Sequence, residues 1–357
     1  MPQGVAILVG DSPQGDSELL AATSVEVTES LGLPARYALR FAVGPAGDDL
    51  TWLGDERLSP GSTLRIDVPG PGSATCLVKG PVTGAQVHLV HGGSGSMLEV
   101  IGGDTGVRMD RESKVEVHDG VTESEIVRNL LTGYSLVADV ESRQGEPRYT
   151  TSGFPLVQRE TDLRFVQRLA RKRGASFWID CDATSGVQTG HWKRVDLGAG
   201  SSHDLTINQD GSNLEALELR FDVERPVSVA AAQLDIGTLG KIDGKVQKTP
   251  RTVLGSKSLA DITSDPHVLH LTAPSADAAD LPARAEGALI EADLFVFCEG
   301  ETTATALNGV LRAHSIVTLN GAGERHSGKY LVTKVRHTID SAGHRMRFEL
   351  ARNGWGL

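Results

Sequence analysis

The spacing of apolar positions along this chain changes period twice. Across residues 1–112 apolar side chains alternate with small or polar ones. Tyr37, Leu39, Phe41 and Val43 fall on one side of an extended segment, the period of a half-buried strand. Thr63–Val68 and Gln86–Val90 read as further strands, and Met97–Asp104 closes the block. Between them lie the turn clusters Pro69-Gly70-Pro71-Gly72 and Gly92-Gly93-Ser94-Gly95.

From residue 113 the period becomes helical. Thr122 and Glu125 have the spacing of a capping box, with Val121 and Ile126 as the staple across it. Ile126, Leu130 and Leu131 make a buried stripe that Gly133 is expected to end. A second helix follows from Gln158, with Leu163, Val166, Leu169 and Ala170 on one face, and stops at Gly174. The run Phe177-Trp178-Ile179-Asp180 then reads as a strand, with another around Trp192, so 113–205 is predicted to be a small αβ domain.

Alternation returns over 206–357. Leu217, Leu219, Phe221 and Val223 are expected inward, with Glu218, Arg220, Asp222 and Glu224 outward. A polar stretch at 244–277 reads as a long excursion or small insertion, because compact domains seldom carry plain loops of that length. Pro282 opens a helix over about 281–293 with Ala285, Ala288, Leu289 and Ala292, and Leu294–Phe297 is a strand. The end is a hairpin: Leu331, Thr333, Val335 and His337 alternate, Asp340-Ser341-Ala342-Gly343 turns, and Met346, Phe348 and Leu350 alternate back. The fold class is α+β and mainly β, two antiparallel β-barrel-like blocks around the αβ domain.

Composition narrows the function. The 357 residues are enough for two or three domains, and 41 glycines with only 4% aromatics suit many turns and short strands. A net charge of −11 counts against nucleic-acid recognition through the overall field. Cys76, Cys181 and Cys298 are widely spaced with no C-x-x-C pair, which excludes a disulfide framework and fits a reducing compartment. The N-terminus lacks the basic region of a signal peptide, and no apolar run approaches the roughly 20 residues of a membrane span. Assembly in the cytosol, without membrane insertion, is expected.

Four passages, in order, carry a resemblance. They are Val100-Ile101-Gly102-Gly103-Asp104, Glu123–Leu131 with Tyr134 and Leu136 after it, Gln158–Gly174 continued through Phe177–Asp180, and Ser327–His337, with Arg352-Asn353 near the end. The third is similar to the signature "Q-x-x-E-t-D-x-x-F-x-x-R-L-A-x-x-x-G" of the phage late-control D and VgrG proteins, the baseplate hubs of contractile injection systems. The match covers roughly residues 95–355, and the N-terminal block fits by strand pattern alone. The resemblance implies two barrels related to the tail-tube subunit and a homotrimer whose six barrels meet a sixfold inner tube above and a trimeric spike below. It also implies neighbouring baseplate proteins and a mechanical, non-enzymatic role without cofactor. VgrG chains continue into a spike. Here the sequence stops at Leu357, so a separate spike protein is expected.

Arg159, Arg164, Arg168, Arg171, Lys172 and Arg173 crowd the signature helix. They read as a solvated face, as an ion-pair surface toward another subunit or the tube, which makes them the candidate interface, or as a contact for passing nucleic acid. Other motifs are weaker. Gly323–Tyr330 spells G-x-x-x-x-G-K, but Tyr330 replaces the Ser or Thr that meets magnesium and a strand follows instead of a helix. Asp104-Thr105-Gly106 copies an aspartic-protease triplet without a matching second one. His91-Gly92-Gly93 lacks a G-x-S-x-G elbow. His267 and His270, near Asp261 and Asp265, have metal-ligand spacing but sit beside Pro266 in the polar stretch. His337 is expected to be a satisfied, partly buried histidine. No catalytic, cofactor or metal residue is assigned; the rival function is a needle-tip hydrolase or an effector adaptor.

Overall fold

Strands dominate, as the alternation predicts. A computed structural model describes residues 4–10, 12, 14–46, 49–152, 154–234, 240–271 and 280–357. The end of the predicted polar insertion, 272–277, lies outside the described residues.

Both β blocks contribute to one large sheet. Its order runs Ala6–Val9, Thr63–Pro69, Ala74–His88, Met97–Gly103, Leu33–Ala42, Ser24–Ser30, Gly328–Asp340, Gly343–Arg352, Val296–Thr303 and Leu217–Phe221. Each of these neighbours is antiparallel. The expected strand at Gln86–Val90 is the end of a 15-residue strand that changes partner midway. Residues 74–81 pair with Thr63–Pro69 and 82–88 with Met97–Gly103, which bends the first block over its own lining. The strand Gly328–Asp340 is shared likewise. Its start pairs with Ile316–Asn320 and its later part with Ser24–Ser30 of the first block. The two barrel-like blocks therefore meet edge to edge, and Ile7, Leu39, Phe41, Val335, Phe348 and Leu350 belong to one continuous core.

The αβ unit has its own core, in which Phe165, Val166, Leu169, Phe177 and Trp192 are essentially buried. Its strands run Val137–Val140, Gln188–Lys193, Ser176–Cys181, the first pair parallel and the second antiparallel. The helix Glu123–Gly133 starts with the predicted capping box: Thr122 Oγ1 accepts from Glu125 N, and Glu125 Oε2 accepts from Thr122 N at 2.9 Å. Its end differs from the expectation. Gly133 stays helical, and the left-handed residue is Ser135 at φ 61°.

The polar stretch, read as a long excursion or small insertion, contains strands: Lys241–Val246 and Val268–Leu271 pair with Ser228–Leu234 in a small sheet. The helix Asp280–Ala292 packs Leu281, Ala285 and Leu289 on it. Phe221 and Val223 are exposed rather than inward, because Leu217–Phe221 is the last strand of the sheet and only Leu217 and Leu219 reach the core. In the terminal hairpin the pairing shifts between Val332 and Lys334, so Thr333 leaves the inward row while Val335 and His337 keep it.

Candidate functional site

The signature residues turn out to build the helix Asp162–Lys172 and its seat. Thr161 Oγ1 accepts from Arg164 N, the N-cap bond that satisfies a free helix-end donor. Gln158 Nε2 donates to Asp162 Oδ1 (2.7 Å), while Lys114 Nζ (2.6 Å) and Tyr134 OH (2.7 Å) donate to Asp162 Oδ2. Burial alone would raise the Asp162 carboxyl, but those three donors hold it below the ordinary carboxylate range. Leu163, Phe165, Val166, Leu169 and Ala170 face the core. At the other end Arg173 is the C-cap and Gly174 takes φ 65°, the left-handed turn that glycine adopts without a Cβ clash.

The six basic residues separate into two sets. Arg159, Arg164, Arg168 and Arg171 are exposed. Arg164 reaches Asp110 only at 3.7 Å, and Arg168 pairs with Glu160 at 2.6 Å. Lys172 and Arg173 instead turn inward, away from the outer face expected of them. Both close on Glu123, whose side chain is fully buried: Lys172 Nζ at 2.5 Å and Arg173 Nε at 2.5 Å, with Tyr149 OH at 2.7 Å. Arg173 also pairs with Glu146. Burial pushes the Glu123 carboxyl up, yet Lys172 and Arg173 outweigh it and keep the group ionised below the ordinary range. The physical reason is direction: Lys172 and Arg173 sit at the end of the helix and reach Glu123 at the start of the unit's other helix, Glu123–Gly133, while Arg171 just before them points out.

That ion cluster is also a joint. Lys172 Nζ reaches Asp280 at 3.1 Å, and Glu286 takes Arg194 (2.9 Å) and Arg143 (3.2 Å). The helix Asp280–Ala292 is thereby clamped on the αβ unit by cations from one side and carboxylates from the other. Gly287 permits the close approach, since a Cβ there would lie 2.4 Å from Lys172 O.

A second joint centres on Arg312. Its Nε donates to Glu29 Oε1 at 2.7 Å, its Nη1 to Cys76 O at 2.8 Å, and its Nη2 lies 3.6 Å from Asp180. One guanidinium thus ties the last β block to two strands of the first block and to the αβ unit. Beside it, Trp178 is stacked between His191 (4.7 Å) and His314 (4.3 Å). His191 lies between Asp139 (2.7 Å) and Asp180 (3.1 Å); burial pulls its pKa down, but these two carboxylates prevail and raise it. His314 is half-buried, its Nε2 accepts from Gly32 N at 3.2 Å, and burial pushes its pKa down to about 4.

The weaker motifs have structural positions. Asp104 is buried and pushed up to about 7 by desolvation, while accepting from Ala35 N (2.7 Å) and Gly106 N (2.8 Å), so it braces a strand end. Gly323–Tyr330 is the turn into the strand Gly328–Asp340. His91–Ser94 forms an exposed hairpin tip, apart from half-buried Gly93. His267 binds Glu224 O at 3.0 Å, and Asp261 is engaged by Ser258. Among the described residues no group of three or more His, Cys, Asp or Glu is arranged to hold a metal ion, and no helix is long and apolar enough to cross a membrane. His337 is fully buried, beyond the partial burial expected, and only half satisfied: Nδ1 lies 3.0 Å from His344 Nε2, while its own Nε2 has no hydrogen-bond partner. Sequence reasoning missed Glu29, Glu123, Asp180 and Arg312 as joint residues. Their only signal would have been charge within strongly patterned elements.

No protein-family model matches the sequence, and no curated protein sequence does. Solved structures do match in fold. The 43 kDa tail protein of prophage MuSo2 from Shewanella oneidensis superposes with a TM-score of 0.68 at 16% identity, over 98% of both chains. A tail protein from Neisseria meningitidis MC58 gives 0.65 at 13% identity, over 98% of this chain and 96% of that one. The E. coli c3393 protein, described as a type VI secretion component similar in structure to the T4 tail proteins gp27 and gp5, gives 0.60 at 14% identity. That match covers 97% of this chain and 76% of the other. The chain has the fold of these proteins from end to end.

Proposed function

We propose that this chain is a structural baseplate hub of a contractile phage tail or tail-like injection system. It trimerises, presents its two β-barrel blocks to a sixfold inner tube, and seats a trimeric spike. The observation that carries the reading is the end-to-end fold likeness to a prophage tail protein, over 98% of both chains. The two polar joints support it, because a part that transmits axial force needs its units held as one body. The reading keeps 1–112 and 206–357 as the tube-like blocks and 113–205 as the αβ domain between them. No catalytic step or cofactor belongs to it.

Closed rings need complementary patches, and obligate interfaces commonly bury about 2,000 Å² or more. The exposed quartet Arg159, Arg164, Arg168 and Arg171 is the proposed patch, facing an acidic neighbour in the adjacent subunit or the tube. Native mass spectrometry of the full chain at micromolar concentration is expected to give a trimer, and electron microscopy with the tube protein a capped tube. A strictly monomeric mass with no rings would overturn the assignment.

A further inference from the structure

Two cysteines that are remote in sequence meet where the αβ unit crosses the first β block. The strand Ala74–His88 packs against Ser176–Cys181, and polar contacts pin the crossing. Lys79 Nζ donates to Gly186 O at 2.8 Å, and Gln188, the register partner of Cys181, donates from Nε2 to Lys79 O at 2.8 Å. Arg312 binds Cys76 O and lies beside Asp180, the residue before Cys181. Within this frame the Cys76 and Cys181 side chains adjoin across the crossing of the two strands, and Cys181 Sγ lies 3.7 Å from Asp182 O. Cys76 is buried and Cys181 is partly exposed. Cys298 is buried in a strand of the last block.

We propose that Cys76 and Cys181 are a paired modification site, closed by a small-molecule disulfide into a crosslink between the first β block and the αβ unit. The chemistry assigns an order. Cys181 is the accessible sulfur, and the adjoining Cys76 thiol stabilises its thiolate, so Cys181 is lowered while Cys76 is raised. The Cys181 thiolate attacks one sulfur of the small disulfide. That S–S bond breaks, and the leaving thiolate takes a proton from solvent. Cys76 then loses its proton to solvent and attacks the Cys181 sulfur of the mixed disulfide, expelling the second small thiol. Two protein thiols are oxidised and one external disulfide is reduced to two thiols. In glutathione-reduced surroundings the pair stays open; in oxidising surroundings it closes.

The test uses the full-length protein incubated with oxidised glutathione, quenched by alkylation and mapped as non-reduced peptides. The expected result is one linked peptide joining Cys76 to Cys181, with Cys298 recovered as the alkylated thiol. The Cys76→Ser variant should stop as a glutathione adduct on Cys181, and Cys181→Ser should retain both remaining thiols. A wild-type protein that accumulates only the Cys181 adduct, forms intermolecular Cys181 dimers, or keeps all its thiols under these conditions would overturn the proposal.

Discussion

Replacing Arg312 with Met tests whether the central joint works as described. The substitution keeps the length and apolar stem of the side chain but removes the charge that faces Glu29. Glu29 is 6% exposed and accepts from Arg312 at 2.7 Å on one oxygen and from Ala313 N at 3.0 Å on the other. Burial already raises its pKa, with Arg312 and Ala313 pulling the other way. Breaking a buried ion pair costs about 3–5 kcal/mol, because the remaining charge is uncompensated. Protonation sets a ceiling on that term. From the ordinary value of 4.5, neutralising Glu29 at pH 7.5 takes about 4 kcal/mol and at pH 5.5 about 1.4 kcal/mol. The lost bond to Cys76 O adds about 1 kcal/mol at either pH. Arg312→Met should therefore destabilise by up to roughly 5 kcal/mol at pH 7.5 and about 2.4 kcal/mol at pH 5.5. Urea unfolding at the two pH values measures this. Adding Glu29→Gln should recover most of the loss at pH 7.5 and little at pH 5.5. A deficit independent of pH, or one that Glu29→Gln leaves intact, would refute the reasoning.

Other outcomes follow from the same contacts. Gly287→Ala should destabilise despite a helix-propensity gain of about 1 kcal/mol, because its Cβ would lie 2.4 Å from Lys172 O and overpacking costs about 1–3 kcal/mol. Gly133→Ala, with nothing within 4 Å of the new Cβ, should be neutral or stabilising by the same thermal melts. Stability should fall as pH drops from 6.5 toward 4. The unfolded chain then takes up protons that His314 and His344, both held near 4, and His337, pushed well below its ordinary value by burial, refuse while folded. Asp104, raised to about 7, and Glu29 and Asp67, also raised, act in the opposite direction over that range, but with His203 and His326 lowered too the histidines prevail by number; His344→Asn should flatten the acid limb of the melting curve. Reversing the charge of Arg159, Arg164, Arg168 and Arg171 together should leave the melting midpoint nearly unchanged, since these side chains are exposed. The same variant should abolish trimers in native mass spectrometry, whereas an intact trimer would exclude that face.

Much of the fold was legible because local rules were obeyed. The Thr122–Glu125 box, the Gly174 cap and the alternation of Tyr37, Leu39 and Phe41 each express one local physical requirement, and each is met in the structure. Errors arose where a local cue was overridden. Phe221 and Val223 have the strand pattern, but an edge position leaves them exposed. The polar 244–277 stretch lacks an apolar period and was legible only as an excursion or insertion; its Val246, Leu269 and Leu271 find cover on the helix Asp280–Ala292.

The candidate site was less legible, since its meaning lies in which way a charge points. Arg171, Lys172 and Arg173 are consecutive, but only the first is exposed; the other two meet Glu123, which helical phase alone does not reveal without the facing helix. By itself the sequence determined the element types, the mainly β class and the order of the landmark motifs, because period, caps and turns act over a few residues. Only the tertiary structure decided that Ser24–Ser30 pairs with Gly328–Asp340, that Arg312 holds three units together, and that Cys76 meets Cys181. Those contacts join residues far apart in the chain, and no local preference records a partner that folding alone brings near.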